Sequence, residues 1–408
     1  MFLEYSALAS GIVIKALSAY FLVMCLFFWV KRPKAETHEP KTRFACLIPA
    51  RNEAVVIGEL VQSLREQDYP AEMVEIYVIP NNCTDDTELM ARKAGAKIIN
   101  VKGSIRNKGD VLHQAIDLLL PREDIDCFML FDADNVVDKG YLRAMNDAFL
   151  NGADVTKSRI ETKNPYDSWV SGCYGLYYNI FNLFFNESRS RIGIAPKLIG
   201  TGLGIKRQVL LDMGGWNTVT IAEDTEFNAL CVMGGYKIRW VPKAVTYDEA
   251  PEEFTVSLRQ RRRWVGGIMA VSKECSGDVL REVGRGRRIR QMIDMLMILA
   301  MPYIQVASLI PLVLTLANGI ASGSALTTLL ILGAGSAVSC IGVMCFALIL
   351  AALSPYRTRS MAKAILMFPV FALSWMPLAV VAFFGGTGAW VEIRHRRTVK
   401  IGELKYVR

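Results

Sequence analysis

Apolar and polar positions divide this chain into two regimes. Four long apolar runs lie near 8–30, 291–318, 325–353 and 364–388. Each is long enough to cross a hydrocarbon layer of about 30 Å as a helix of roughly 20 residues. The block between the first two runs, about 41–290, has the mixed composition of a globular domain. Within it, short apolar stretches alternate with helical spacing. A run over 44–48, closed by Pro49, predicts a buried strand. Val56, Ile57, Leu60, Val61 and Leu64 predict a helix over 53–67, ended by Tyr69 and Pro70. A strand over 74–79, a polar turn over 80–84, a helix over 85–94, a strand over 97–101, a helix over 110–120 and a strand over 126–131 follow. Strands alternating with helices at this spacing imply an α/β domain with a parallel, Rossmann-like sheet. Ligands of such sheets gather beyond the strand C-terminal ends, where the 80–84 turn and the 132–135 segment both fall.

The pattern divides the chain into a transmembrane anchor over 1–35, a catalytic-type domain over 41–290, transmembrane or interfacial helices over 291–390 and a basic tail over 391–408. The first run is followed by Lys31, Arg32 and Lys34 and has no basic leader or small-residue cleavage site, so it reads as a retained anchor. Positive charge on its C-terminal side places the central block in the cytosol. The uncharged 318–325 loop then reads as external. Pro369, Pro377, Gly385 and Gly386 interrupt the last run, which reads as a span or as a re-entrant element. A basic 354–363 loop and a basic tail favour the cytosolic side for both.

Composition changes this picture in two places. A net charge of +8 raises nucleic-acid binding, but the basic residues cluster at 259–263, 281–290, 357–363 and 394–408, all beside apolar runs. Contact with anionic headgroups accounts for them, and no nucleic-acid partner is expected. Nine cysteines without a C-x-x-C pair, and three scattered histidines, argue for reduced thiols and against a disulfide framework or a zinc site.

Three motifs carry candidate chemistry. Asp132 and Asp134 flank an alanine at the end of a predicted strand, where extended backbone would turn both carboxylates to one side. Such a pair suits Mg²⁺ or Mn²⁺ and, through the ion, a diphosphate; alone it also serves as an ordinary strand-end turn. Glu223 and Asp224 open a predicted helix, whose dipole keeps a carboxylate ionised, as a general base requires; acidic helix caps look the same. Gln260 and Arg263 share a helical face, with Trp264 next to them. A guanidinium binds diphosphate oxygens in pairs and an indole offers a flat face to a sugar ring. A basic helix resting on lipid is the alternative, and Arg259, Arg261 and Arg262 fit it. Gly200, Thr201 and Gly202 either let an acceptor approach the backbone or form a plain turn between strands.

With these residues in order, the chain resembles the membrane-integrated family 2 glycosyltransferases, the group of cellulose, chitin, hyaluronan and poly-N-acetylglucosamine synthases. The 48–53 segment, with Pro49, Arg51 and Glu53, is similar to the family's first strand and turn, and 82–87 to its second nucleotide-binding turn. Lys108 and Gly109 resemble a basic site near the nucleotide. Asp132 and Asp134 match the metal and nucleotide motif, Asp224 the base, and Gln260, Arg263 and Trp264 the signature of polymerising members. The 390–395 segment resembles a tail element of short bacterial relatives. Asn81 stands where the family often has aspartate; its carbonyl can still accept from uracil N3–H.

The resemblance implies a GT-A fold, a UDP-sugar donor and a β-linked product. A multi-pass protein of the plasma membrane is expected, with a growing polysaccharide as acceptor and Gly200, Thr201, Gly202, Glu223 and Trp264 as the candidate acceptor-binding residues. Single-sugar transfer to a lipid, as in ceramide glucosyltransferase, is the alternative, and a non-catalytic glycan-binding or export protein is a third. About three apolar runs follow the block, so a polymer path calls for a homo-oligomer or a partner.

Overall fold

The computed structural model describes residues 2–32, 34–103, 105–386 and 401–404. The 390–395 element and most of the basic tail lie outside the described residues. The strands are β1 (Phe44–Ala50), β2 (Val74–Pro80), β3 (Lys97–Ile98), β4 (Cys127–Leu130), β5 (Val136–Val137), β6 (Val155–Thr162), β7 (Leu203–Lys206) and β8 (Ile238–Asp248). They form one sheet in the order β3-β2-β1-β4-β7-β6-β8-β5. The helices are α1 (Phe2–Leu26), α2 (Ile57–Arg65), α3 (Thr87–Ala94), α4 (Lys108–Leu119), α5 (Tyr141–Leu150), α6 (Trp169–Asn179), α7 (Ser188–Arg191), α8 (Arg207–Asp212) and α9 (Glu223–Gly234), then α10 (Phe254–Gly284), α11 (Ile289–Ala307), α12 (Leu309–Ala321), α13 (Ala325–Leu353), α14 (Ala362–Leu373) and α15 (Trp375–Gly385).

The half of the sheet built from β3, β2, β1 and β4 is parallel, as the alternation predicts. The other half is mixed: β7 runs antiparallel to β4 and β6, while β6 and β8 are parallel. Insertion of β7 needs a bare backbone, because a Cβ on Gly204 would stand 2.4 Å from Thr156 Oγ1 and 2.9 Å from Met129 Sδ. Successive residues of β1 and β4 feed opposite layers, as strand alternation demands. Leu47, Phe128 and Leu130 pack under α4 and α9, and Cys46, Ile48 and Met129 pack under α2 and α5. Helix α2 begins four residues later than its spacing predicts. Asn52 turns left-handed at φ 57°, and a turn over 53–56 swings the chain away from β1 first.

Four helical stretches are long and apolar enough to cross a membrane: Phe2–Trp29, Ile289–Ala321, Ala325–Leu353 and Thr358–Gly385. They coincide with the four apolar runs. Helix α1 is tied down by polar contacts: Tyr20 donates to Asp294 at 2.6 Å, and Asp294 also pairs with Arg189 at 3.0 Å. Both charged partners are buried; Arg189 Nε donates to both Asp294 oxygens and Nη1 to the Phe185 carbonyl, and without such pairing burial of either charge would be costly.

Arg261 overturns its lipid-facing expectation. It is fully buried where α10 meets the junction of α14 and α15. The helical stretch is interrupted at Ser374, and carbonyls at a helix end call for outside donors. Arg261 supplies donors there, reaching the Phe371 carbonyl at 3.0 Å and Ser374 Oγ at 2.9 Å. Its guanidinium also lies 4.1 Å from the Phe371 ring centroid.

Candidate active site

The two nucleotide-type turns meet at the C-terminal ends of β1 and β2. Asn81 donates its backbone N–H and its side-chain amide to the Ala50 carbonyl, at 2.9 and 3.1 Å. One N–H of that amide is thereby engaged, and the carbonyl is left for an N–H of a base. Asn52 and Asn82 are both left-handed, a conformation asparagine tolerates better than most residues. Asn52 Oδ1 accepts from the Thr84 N–H at 2.8 Å, so the turns that carry Arg51, Glu53 and Asn81 are clasped together. Pro49 closes this edge inside β1.

Asp132 and Asp134 lie in a tight turn beyond β4, closed by the Asn135 N–H on the Asp132 carbonyl, and not on extended backbone. The turn separates their surroundings. Asp132 Oδ1 is 2.5 Å from Lys108 Nζ, which also donates to the Gly200 carbonyl at 2.6 Å. Burial alone would lower the Lys108 pKa, but Asp132 and Glu223 outweigh it and raise it to about 12, so the ammonium stays charged. Asp134 instead faces β8. The Asn135 amide donates to Asp134 at 3.1 Å and to Asp248 at 2.9 Å, bridging the two carboxyls. Burial and the negative Asp134 push the Asp248 carboxyl up to about 8, while Tyr178, which donates to it at 2.7 Å, works in the opposite direction.

This corner wants positive charge, and its donors are hard oxygens, so the residues present fit Mg²⁺ or Mn²⁺. Among the described residues no group of three acidic, cysteine or histidine side chains converges tightly enough to cage an ion. Diphosphate and water oxygens would complete the shell, as is usual for such ions at phosphate sites.

Asp224 and Asp132 flank one bare position. A Cβ on Gly200 would lie 3.5 Å from Asp132 Oδ2 and 3.7 Å from Asp224 Oδ2. Asp224 Oδ2 accepts from the Gly200 N–H and Oδ1 from its neighbour Thr225, which fixes the carboxylate. Glu223, expected with the acceptor, turns the other way. It is buried 3.8 Å from Lys108, and burial raises its carboxyl to about 7 even though Lys108 opposes the shift. Thr201 and Gly202 are scaffold in their contacts. Thr201 Oγ1 accepts from the Asp132 N–H at 3.1 Å and donates to Asn135. Gly202 is left-handed at φ 65°, and a Cβ there would fall 1.9 Å from Ser158 Oγ, so no space opens toward an acceptor.

Gln260, Arg263 and Trp264 sit on α10, which reaches Asp224 through a close helix contact: a Cβ on Gly267 would stand 2.8 Å from the Cβ of Ala222. Gln260 accepts from Tyr174 at 2.9 Å. Trp264 is half-buried with its ring nearly parallel to Tyr177 and Trp375, at centroid distances of 6.5 and 6.4 Å. Arg263 is half-buried one turn after Gln260 and has no hydrogen bond or ion pair among the described residues.

Sequence reasoning missed Lys157, Lys163 and Asp248. Lys157 is fully buried on β6 and donates to the Thr201 carbonyl at 2.7 Å; burial lowers its pKa to about 7, against the pull of Asp224, Asp132 and Asp248. Lys163 donates to the Asp134 carbonyl at 2.7 Å. The available signal was two lysines spaced six apart around Ile160 in a valine- and threonine-bearing stretch, a strand whose polar residues face a site.

A family model described as "Glycosyl transferase family group 2" matches residues 127–385. The chain is 30% identical over 233 residues to the probable glycosyltransferase YdaM of Bacillus subtilis, covering 55% of each chain. It is 27% identical over 233 residues to a beta-monoglucosyldiacylglycerol synthase of Synechocystis, covering 56% of this chain and 48% of that one. It spans about half the length of these curated relatives. Its fold is that of a mannosyltransferase from Pyrobaculum calidifontis solved with GDP-Man and Mn²⁺: TM-score 0.62, 21% identity, 91% of this chain and 99% of that one.

Proposed function

The chain belongs to the group 2 glycosyl transferase family, and on that footing we propose that it transfers a sugar from a UDP-sugar, with inversion, to the end of a β-linked glycan at the membrane face. The observation that carries this reading is the pair of carboxylates, Asp132 and Asp224, on either side of Gly200, with Lys108 on the first. Lys108 and the Asn81 carbonyl orient the nucleotide. A Mg²⁺ or Mn²⁺ ion held by Asp134, with Asp132 and Asp248 near it, would supply positive charge against the diphosphate. Asp224 accepts the proton of the acceptor hydroxyl as its oxygen bonds to the sugar's anomeric carbon. The bond from that carbon to the diphosphate oxygen breaks, and the electron pair leaves with the diphosphate. Arg263, without a hydrogen bond or ion pair among the described residues, reaches that leaving charge. Trp264 supports the acceptor ring.

A second reading, single-sugar transfer to a lipid, has its own support. Trp264 shares its aromatic surroundings with Trp375 of the last candidate span, so an acceptor seated there lies against the bilayer. The Synechocystis relative is named as a glucosyldiacylglycerol synthase. The test is nucleotide release by the full chain in nanodiscs, with a panel of radiolabelled UDP-sugars and GDP-mannose, with and without EDTA, followed by sizing of the product. UDP release abolished by EDTA, with a product that lengthens with time, is expected. A glycolipid of fixed size selects the second reading, and release from GDP-mannose alone overturns the donor.

A further inference from the structure

Helix α9 has a site at each end. Its first turn carries Glu223 and Asp224. Its last turn closes at Gly235, which is left-handed at φ 79° and returns its N–H to the Cys231 and Val232 carbonyls. A Cβ on Gly235 would fall 1.4 Å from Arg288 Nη1, so the Arg288 guanidinium occupies the place a side chain would take. That is the negative end of the helix dipole, where a cation is favoured. Arg288 is itself left-handed at φ 45°, a conformation unfavourable for a non-glycine residue. Beside it lies a hollow of about 420 Å³, lined by Met233, Gly234, Glu282, Arg287, Arg288 and Met292. The nearby acids are already paired, Glu282 with Arg285 at 2.5 Å and Asp278 with Arg281 at 2.6 Å. Arg287 and Arg288 have no carboxylate partner among the described residues, and both are exposed.

The hollow sits where the chain turns toward its second candidate span. The Ile289–Ala321 stretch has 33 residues. Its first turns pack on the sheet domain through Met292 and Met295, so they lie at the boundary between that domain and the candidate span. The outer face there is apolar: Ile289 and Ile293, one turn apart, are 46% and 43% exposed, and Leu280 on α10 is 56% exposed. Arginines beside an exposed apolar strip are the composition of an element that lies in the interface.

We infer that this hollow binds the phosphate of an anionic lipid headgroup, held between the guanidinia of Arg287 and Arg288. A bound phosphate fixes the C-terminal end of the helix whose N-terminal end presents Asp224. Free phosphate esters share the chemistry, so the test separates the two sources. The full chain in mixed micelles of phosphatidylglycerol and phosphatidylcholine is examined by native mass spectrometry. Selective retention of one phosphatidylglycerol is expected. At roughly 1 kcal/mol per basic residue near a charged surface, Arg287→Gln should weaken retention about 5-fold and the pair Arg287→Gln/Arg288→Gln about 30-fold. Arg288→Lys should retain most of the binding. The exposed loop pair Arg357→Gln/Arg359→Gln should leave retention unchanged, and an equal loss there would mean general attraction and overturn the site. Displacement by 10 mM inorganic phosphate would reassign the site to a soluble anion. No preference for phosphatidylglycerol in the parent chain would refute the inference without any variant.

Discussion

Replacing Lys108 by methionine removes a cation that touches three site groups while keeping much of its stem. The losses can be summed from the geometry. The contact with Asp132 is short, but that carboxylate is 40% exposed, so solvent screening holds its worth to about 1 kcal/mol or less. The Gly200 carbonyl loses a charge-assisted hydrogen bond worth about 1.5 kcal/mol. Together, about 2–2.5 kcal/mol of donor-site order is lost, or roughly 30- to 70-fold in UDP affinity. A pH signature accompanies it. Burial raises the Glu223 carboxyl to about 7 against the opposing Lys108, so the group is neutral below about pH 7 and charged above. Charge there repels a diphosphate, and UDP affinity should fall as pH rises through 7. The raised value also means that the folded chain holds this proton more tightly than the unfolded one. The stability gained is therefore present at acid pH and lost as pH rises through 7. Without Lys108 both midpoints move to higher pH. Calorimetric titration of UDP with Mn²⁺ at pH 6, 7 and 8 measures the first effect. An affinity within threefold of the parent, with an unmoved midpoint, would refute the role given to Lys108.

Other outcomes follow from packing and topology. Gly267→Ala places a Cβ 2.8 Å from that of Ala222, so α9 and α10 must separate; turnover should fall at least tenfold with UDP affinity unchanged, and full turnover would show that the contact is not needed. Arg261→Met leaves the Phe371 carbonyl and Ser374 with fewer partners in a buried site; thermal stability in detergent should drop by about 2–4 kcal/mol, and an unchanged melting temperature would contradict the anchoring role. An introduced thiol at Ser322 should react with an impermeant reagent in intact cells and one at Lys93 only after lysis; the reverse pattern would invert the orientation.

Much of this was legible from periodicity. The four apolar runs, strands β1, β2 and β4 and the helices between them obey simple patterning, and Glu223, Asp224 and the Gln-x-x-Arg-Trp motif sit on the helices their spacing implies, whereas Asp132 and Asp134 lie in a turn where extended backbone was expected. What stayed hidden was polar burial. In β6, Lys157, Ser158, Glu161 and Thr162 are buried because the site and its neighbours satisfy them, so the strand lacks the apolar alternation that reveals the others. Arg261 reads as a surface charge because nothing local announces that α14 breaks at Ser374 and leaves carbonyls in need of donors. Gly202 and Gly204 read as a loop because glycine marks turns and close packing alike. Asp248 could not be found from its neighbours in sequence; only the pairing of β5 with β8 brings it to Asn135 and Asp134.

The assignment of Asp224 as the group that takes the acceptor's proton is the centre of this account, and Asp224→Asn tests it with little change of shape. The asparagine can still accept from the Gly200 N–H, so the donor side should stay ordered. UDP binding measured by calorimetry should remain within threefold of the parent, while nucleotide release with the preferred UDP-sugar falls by about 10² to 10⁴, the usual contribution of a general base. Release within tenfold of the parent, with UDP binding intact, would contradict the central claim.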